Sequence, residues 1–160
     1  MFGISPSGWL HTLGSLPAIP AALYMLVRYG RIVPRSRPGL IYFLGMMLGG
    51  ITVFLVAKAP LSSMIGAVTL VLLIAGYGVE HVAFLGRARK YLETAFLTLS
   101  VFLLMVPSVS ETLRRVPDGH PIASDPNSPV LKLALGSLLV MLIIGLPTQI
   151  FYLRRASRRA

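Results

Sequence analysis

Five stretches of 17 to 21 residues in this chain contain no Asp, Glu, Lys or Arg. They fall within residues 9–27, 39–57, 61–86, 94–110 and 133–153. At a rise of about 1.5 Å per residue, each approaches the roughly 20 residues that cross the hydrocarbon of a bilayer. A helix is the element that satisfies its own backbone groups there. The expectation is an all-α, polytopic transmembrane bundle of five spans, one integral membrane domain over 1–160, with a loop at 111–129 and a basic tail at 154–160. Composition agrees: 55% of residues are hydrophobic and 12% charged, against about 25% charged in a soluble domain. The mean hydropathy is +0.77.

The formal charge of +10 would suit nucleic acid, but the basic residues form short clusters at the ends of the apolar runs. There they meet anionic lipid headgroups, which are the expected partner. The absence of cysteine excludes disulfides, thiol nucleophiles and thiolate metal sites. The amino end, MFGISPSG, has no cationic residue before the first apolar run, so that run reads as a retained helix and not a cleaved signal.

Small residues and prolines mark how the spans pack. Gly14, Ala18 and Ala22 lie four residues apart in the first span, and Gly45 and Gly49 have GxxxG spacing in the second. Such faces let helices approach closely, while Pro17 and Pro20 bend the first rod. Spans two and three are separated only by Lys58, Ala59 and Pro60, which requires an antiparallel hairpin. Pro107 is expected to loosen the last turn of span four. Glu111 and Arg115 are spaced to pair if that helix runs one turn further.

Orientation follows from the distribution of cations. Arg28, Arg31, Arg35 and Arg37, then Arg87, Arg89 and Lys90, then Arg154, Arg155, Arg158 and Arg159 all fall on one side, eleven of the fifteen Lys and Arg. The positive-inside rule places that side in the cytoplasm, with the carboxyl tail there and the amino terminus outside. All six tyrosines, at 24, 29, 42, 77, 91 and 152, lie in the inner halves or edges of their segments, as interfacial anchors would.

Ionisable groups inside the spans are the first candidates for chemistry. Glu80 lies about 9 Å from the end of the third span, within snorkelling reach of Arg87 or Arg89. With His81 beside it and Tyr77 one turn before, it reads either as an interfacial ion pair or as a proton or ligand site. On the outer face, His11, Asp118 and His120 could converge as a ligand set or serve as hydrogen-bonded scaffolding. A bis-histidine haem between His11 and His81 is excluded by depth, since the two lie roughly 20 Å apart across a bilayer of about 30 Å. Haem held by His11 with His120, or by a histidine with a methionine, stays open. Thr148 and Gln149 follow Pro147, where they could line a path or satisfy carbonyls freed by the proline. No catalytic motif is present: no phosphate loop, nucleophile elbow or HExxH.

The early histidine, the basic loop and the pattern Gly39, Tyr42, Met46 (G-x-x-Y-x-x-x-M) resemble a family of uncharacterised bacterial polytopic membrane proteins over about a third of the chain. That family carries a histidine next to an arginine before the glycine, where Arg35 and Ser36 stand here. The resemblance implies a bacterial polytopic membrane protein and no activity, and a small inner-membrane protein is the expectation. The leading expectation is then an accessory or assembly subunit, or a self-associating unit, acting through its small-residue faces. The alternatives are a proton-coupled small transporter using Glu80 and His81, and a haem-bearing redox subunit.

Overall fold

Proline and serine punctuation sets the helix boundaries. The structure, a computed structural model, describes residues 5–57, 59–117 and 119–157. Ser5 caps α1 (Pro6–Ser15) by accepting from the Gly8 amide at 3.1 Å. Pro17 and Pro20 each lack an amide proton, and the helix breaks at Leu16–Pro17 before resuming as α2 (Ala18–Tyr29). Gly30, at φ +69°, ends α2 in the left-handed conformation that glycine adopts without steric cost. Ser36 then caps α3 (Arg37–Val56), its hydroxyl accepting from the Gly39 amide at 3.0 Å. So Ser36 starts the second long apolar helix.

The remaining elements are α4 (Pro60–Gly78), two short 3-10 turns (Val79–His81 and Ala83–Leu85), α5 (Ala88–Arg115) and α6 (Pro129–Ser157). Counting α1 with α2 as one stretch, and α4 with the turn that follows it, five helical stretches among the described residues are long and apolar enough to cross a membrane. The third is shorter as an α-helix than 61–86. It stops at Gly78, so Glu80 and His81 sit on a 3-10 turn beyond the α-helix and not inside it. Two glycines in its last turn, Gly76 and Gly78, weaken the helix there. Pro107 does not end α5. That helix continues through it to Arg115, packed between α4 and α6.

The helices pack in chain order: α1 and α2 on α3, α3 on α4, α4 on α5, α5 on α6. Close approach on the first of these interfaces depends on missing side chains. A Cβ on Gly45 would stand 3.1 Å from both the Cβ and the backbone nitrogen of Ala18, and one on Gly49 would stand 2.7 Å from the Cβ of Ser15. Gly14 meets the Leu48 side chain, and Ala18 and Ala22 are buried. The small faces of the first two spans are therefore turned toward each other. Met25, Tyr42, Met46, Leu73 and Leu97 fill the core between them and α4 and α5. By contrast, 6% of the apolar window of α6 is buried, against 39% for α3 and α5, because α6 packs chiefly on α5.

The alternating direction of the helices gives the bundle two ends. One end holds the 30–36 loop, the 3-10 turns, the start of α5 and the end of α6, and is rich in arginine. The other holds the start of α1, the α3–α4 turn and the loop after α5.

Candidate functional site

At the arginine-rich end the loop between α2 and α3 folds over the start of α5. Arg31 Nη1 lies 2.9 Å from Glu93 Oε1, and Arg35 Nη1 lies 3.4 Å from Glu93 Oε2. Arg35 also pairs with Glu80 through its other terminal nitrogen. The Glu93 side chain is 9% exposed and that of Arg31 25%, whereas Arg35 and Glu80 are about half exposed. Glu93 is thus the buried centre of a network tying three separate segments together. Sequence reasoning passed over it as part of the return into span four. A signal was available: Glu80 and Glu93 are the two acids on a side carrying eleven cations.

The expected partners of Glu80 and Tyr77 require correction. Glu80 meets Arg35 and not Arg87 or Arg89. Arg89 donates instead to the Glu80 backbone oxygen, at 2.9 Å, and to Gly86 O, at 3.0 Å. Tyr77 reaches neither Glu80 nor His81. Its hydroxyl donates to the Gly39 carbonyl at 2.5 Å, and its ring tilts against Phe43 with centroids 4.6 Å apart. His81 is exposed and makes no hydrogen bond or ion pair among the described residues. Arg31 and Arg35 are engaged by carboxylates, while Arg28, Arg37, Arg87, Lys90, Arg154 and Arg155 have no such partner among the described residues. Arg158 and Arg159 lie outside those residues.

Two polar bridges lock the same half of the bundle from within. Tyr42 is fully buried and is not an interfacial anchor. Ser100 Oγ gives its proton to Leu97 O at 2.8 Å, so it must accept from the Tyr42 hydroxyl, also at 2.8 Å. Tyr42→Phe therefore leaves no donor stranded. The expected loss is about 1 kcal/mol in detergent unfolding, the net value of one hydrogen bond. Gln149 supplies the second bridge, accepting from Thr98 Oγ1 at 2.7 Å and donating to the Gly30 carbonyl at 2.8 Å. It serves α5 and the end of α2, not a carbonyl freed by Pro147. Thr148 bonds back along its own helix to Ile144 O at 2.7 Å.

The opposite half of the bundle is hollow. A cavity of about 280 Å³ lies among α1, α3, α4 and α5, floored by Met46 and Leu104 and walled by His11, Ser15, Thr69 and Ser108. Glu111 and Thr112 line it near the end of α5. Glu111 also pairs with Arg115 at 2.5 Å, the i, i+4 contact its spacing predicts. Gly49, Gly50 and Gly66 also line it, each with its open side taken up by a neighbouring side chain: Ser15, Leu70 and Val53. His11 Nδ1 lies 3.1 Å from Thr52 Oγ1 on α3. His120 is exposed in the loop after α5, its backbone amide turned to Pro117 O, and Asp118 lies outside the described residues. No group of three or more His, Asp or Glu placed to hold a metal occurs among the described residues.

No family model, no curated protein and no solved structure matches this chain. The functional reading accordingly rests on geometry.

Proposed function

We propose that this chain is a five-span integral membrane protein of a bacterial inner membrane, with its arginine-rich end in the cytoplasm, that admits a small molecule to the cavity from the outer side and works as a small carrier. The observation that carries this reading is the contrast between the two halves of the bundle. One half holds a cavity of about 280 Å³, while the other is closed by the Arg31–Glu93–Arg35–Glu80 network and the Tyr77–Gly39 and Tyr42–Ser100 bonds. A site hollow on one side and sealed by breakable ion pairs on the other is the arrangement that alternating access requires. Five spans are few for a carrier, so a homodimer is the expected working unit.

The positive-inside count supports the orientation, and the unpaired cations at the arginine-rich end supply the contacts to anionic headgroups. Glu80 and His81 lose their place as a proton relay in this reading, because Glu80 is held by Arg35 and His81 faces outward. The accessory-subunit reading drew on small-residue faces, and those faces are spent inside the chain.

The test uses the absence of native cysteine. Ser108→Cys, on the cavity wall, is expected to react with a small charged thiol reagent from the outer side only. Adding Arg35→Ala, which releases Glu80 and loosens Glu93, is expected to admit the reagent from the inner side as well. No reaction from outside, or no effect of Arg35→Ala, would remove the carrier reading.

A further inference from the structure

The hydroxyls around the cavity are polarised in one direction. Ser15 Oγ donates to His11 O at 2.8 Å, Thr69 Oγ1 to Ile65 O at 2.7 Å, Ser108 Oγ to Leu104 O at 2.7 Å and Thr112 Oγ1 to Ser108 O at 2.7 Å. A hydroxyl has one proton and two lone pairs, so each of these four has spent its proton on its own helix and has only acceptor capacity left for a ligand.

The tautomer of His11 follows from the same accounting. Thr52 Oγ1 gives its proton to Leu48 O at 2.6 Å, so toward His11 it can only accept. Nδ1 therefore carries the ring proton, and in the neutral imidazole Nε2 is a bare lone pair. The ring also bonds the backbone of Gly49, beside Thr52 on α3, which agrees with a protonated Nδ1 facing that helix, and His11 lines the cavity. Glu111 adds a half-exposed carboxylate at the mouth, the one charged side chain on the lining; Arg115 holds its Oε2, which leaves Oε1 as a further acceptor. Against these acceptors stand the hydroxyls of Thr12 and Ser62, both on exposed residues, which retain a proton to give.

We infer that the cavity is a binding site for a small hydrogen-bond donor on a short apolar body, a primary alkylammonium above all. The inference rests on the carrier reading only for the cavity being reachable from water. An ammonium has three donors and no acceptor, matching a lining of His11 Nε2, spent hydroxyls and a carboxylate. Met46, Ile65 and Leu104 receive the apolar part. A carboxylate ligand of the same length would face those same lone pairs and the Glu111 carboxylate, and would gain in return only the exposed Thr12 and Ser62 hydroxyls for the water it loses. A space of about 280 Å³ has ample room for a short alkylammonium.

The experiment titrates the full chain in nanodiscs with n-butylammonium, and separately with butyrate, while following the ¹⁵N resonances of the His11 ring. The free protein is expected to show Nδ1 protonated and Nε2 bare. Butylammonium should shift Nε2 saturably with a dissociation constant at least tenfold below that of butyrate, and Glu111→Gln should weaken it by about tenfold with the Nε2 response retained. Equal or tighter binding of butyrate would overturn the assignment of ligand class while leaving the cavity as a site. No saturable response to either probe would overturn the cavity reading itself. A ring protonated at Nε2 in the free protein would overturn the donor-seeking lining.

Discussion

Gly39→Ala is expected to cost about 3 kcal/mol or more and to leave little folded protein, a large loss for one methyl group. A Cβ at this position would stand 2.2 Å from Val33 O and 2.6 Å from Pro34 O, and both contacts are backbone atoms that no rotamer change can move. Relief would require shifting the 33–36 turn. That turn is held by the Ser36 cap on one side and by Arg35 on the other. Gly39 also lends its carbonyl to Tyr77, so displacement would disturb α4 as well. Ser36→Ala, which removes the cap together with the Ser36 Oγ bond to Val33 O at 2.8 Å, should cost about 1–2 kcal/mol by comparison. Thermal unfolding of both variants in one detergent separates the two. Equal losses would mean that the turn yields freely and that Gly39 is not the constraint.

Glu93→Ala is expected to destabilise by about 3 kcal/mol, toward the lower part of the range for breaking a buried ion pair, because Arg35 is half exposed and can turn to solvent. Arg31, one-quarter exposed, cannot do so as readily, and it is left with an uncompensated charge against α5. Glu93→Gln retains a side-chain carbonyl as acceptor and should recover part of the loss. Removing Glu80 instead should cost at most about 1 kcal/mol, since that pair is solvated on both sides. If Glu80→Ala and Glu93→Ala unfold alike, burial is not what distinguishes the two carboxylates.

These two positions mark what was legible in the sequence and what was not. Local chemistry was readable: the prolines that interrupt the first rod between α1 and α2 and the Glu111–Arg115 pair each depend on residues within a few positions of one another. Partner identity across the fold was not. Arg35 meets Glu80 from 45 positions away in sequence, a choice set by how the 30–36 loop drapes over α5, and nearest-neighbour reasoning pointed to Arg87 and Arg89. Tyr42 looked like an interfacial anchor because depth was the one coordinate the sequence supplied. Its facing, toward Ser100, is rotational and depends on which helices flank α3. The small-residue faces suggested contact with another helix and could not say whether that helix belonged to a partner or to this chain. Gln149 was similarly ambiguous, since a polar group after a proline serves its own helix as readily as a neighbour.

The map of two unlike ends underlies every functional statement, and single-cysteine labelling in intact cells tests it most directly. Ser124→Cys lies in the exposed loop after α5, and Ala88→Cys lies exposed at the start of α5 on the arginine-rich end. With a membrane-impermeant maleimide, Ser124→Cys is expected to label in intact cells and Ala88→Cys only after permeabilisation. Labelling of Ala88→Cys in intact cells, with or without Ser124→Cys, would contradict the placement of the ion-paired end in the cytoplasm and of the cavity outside.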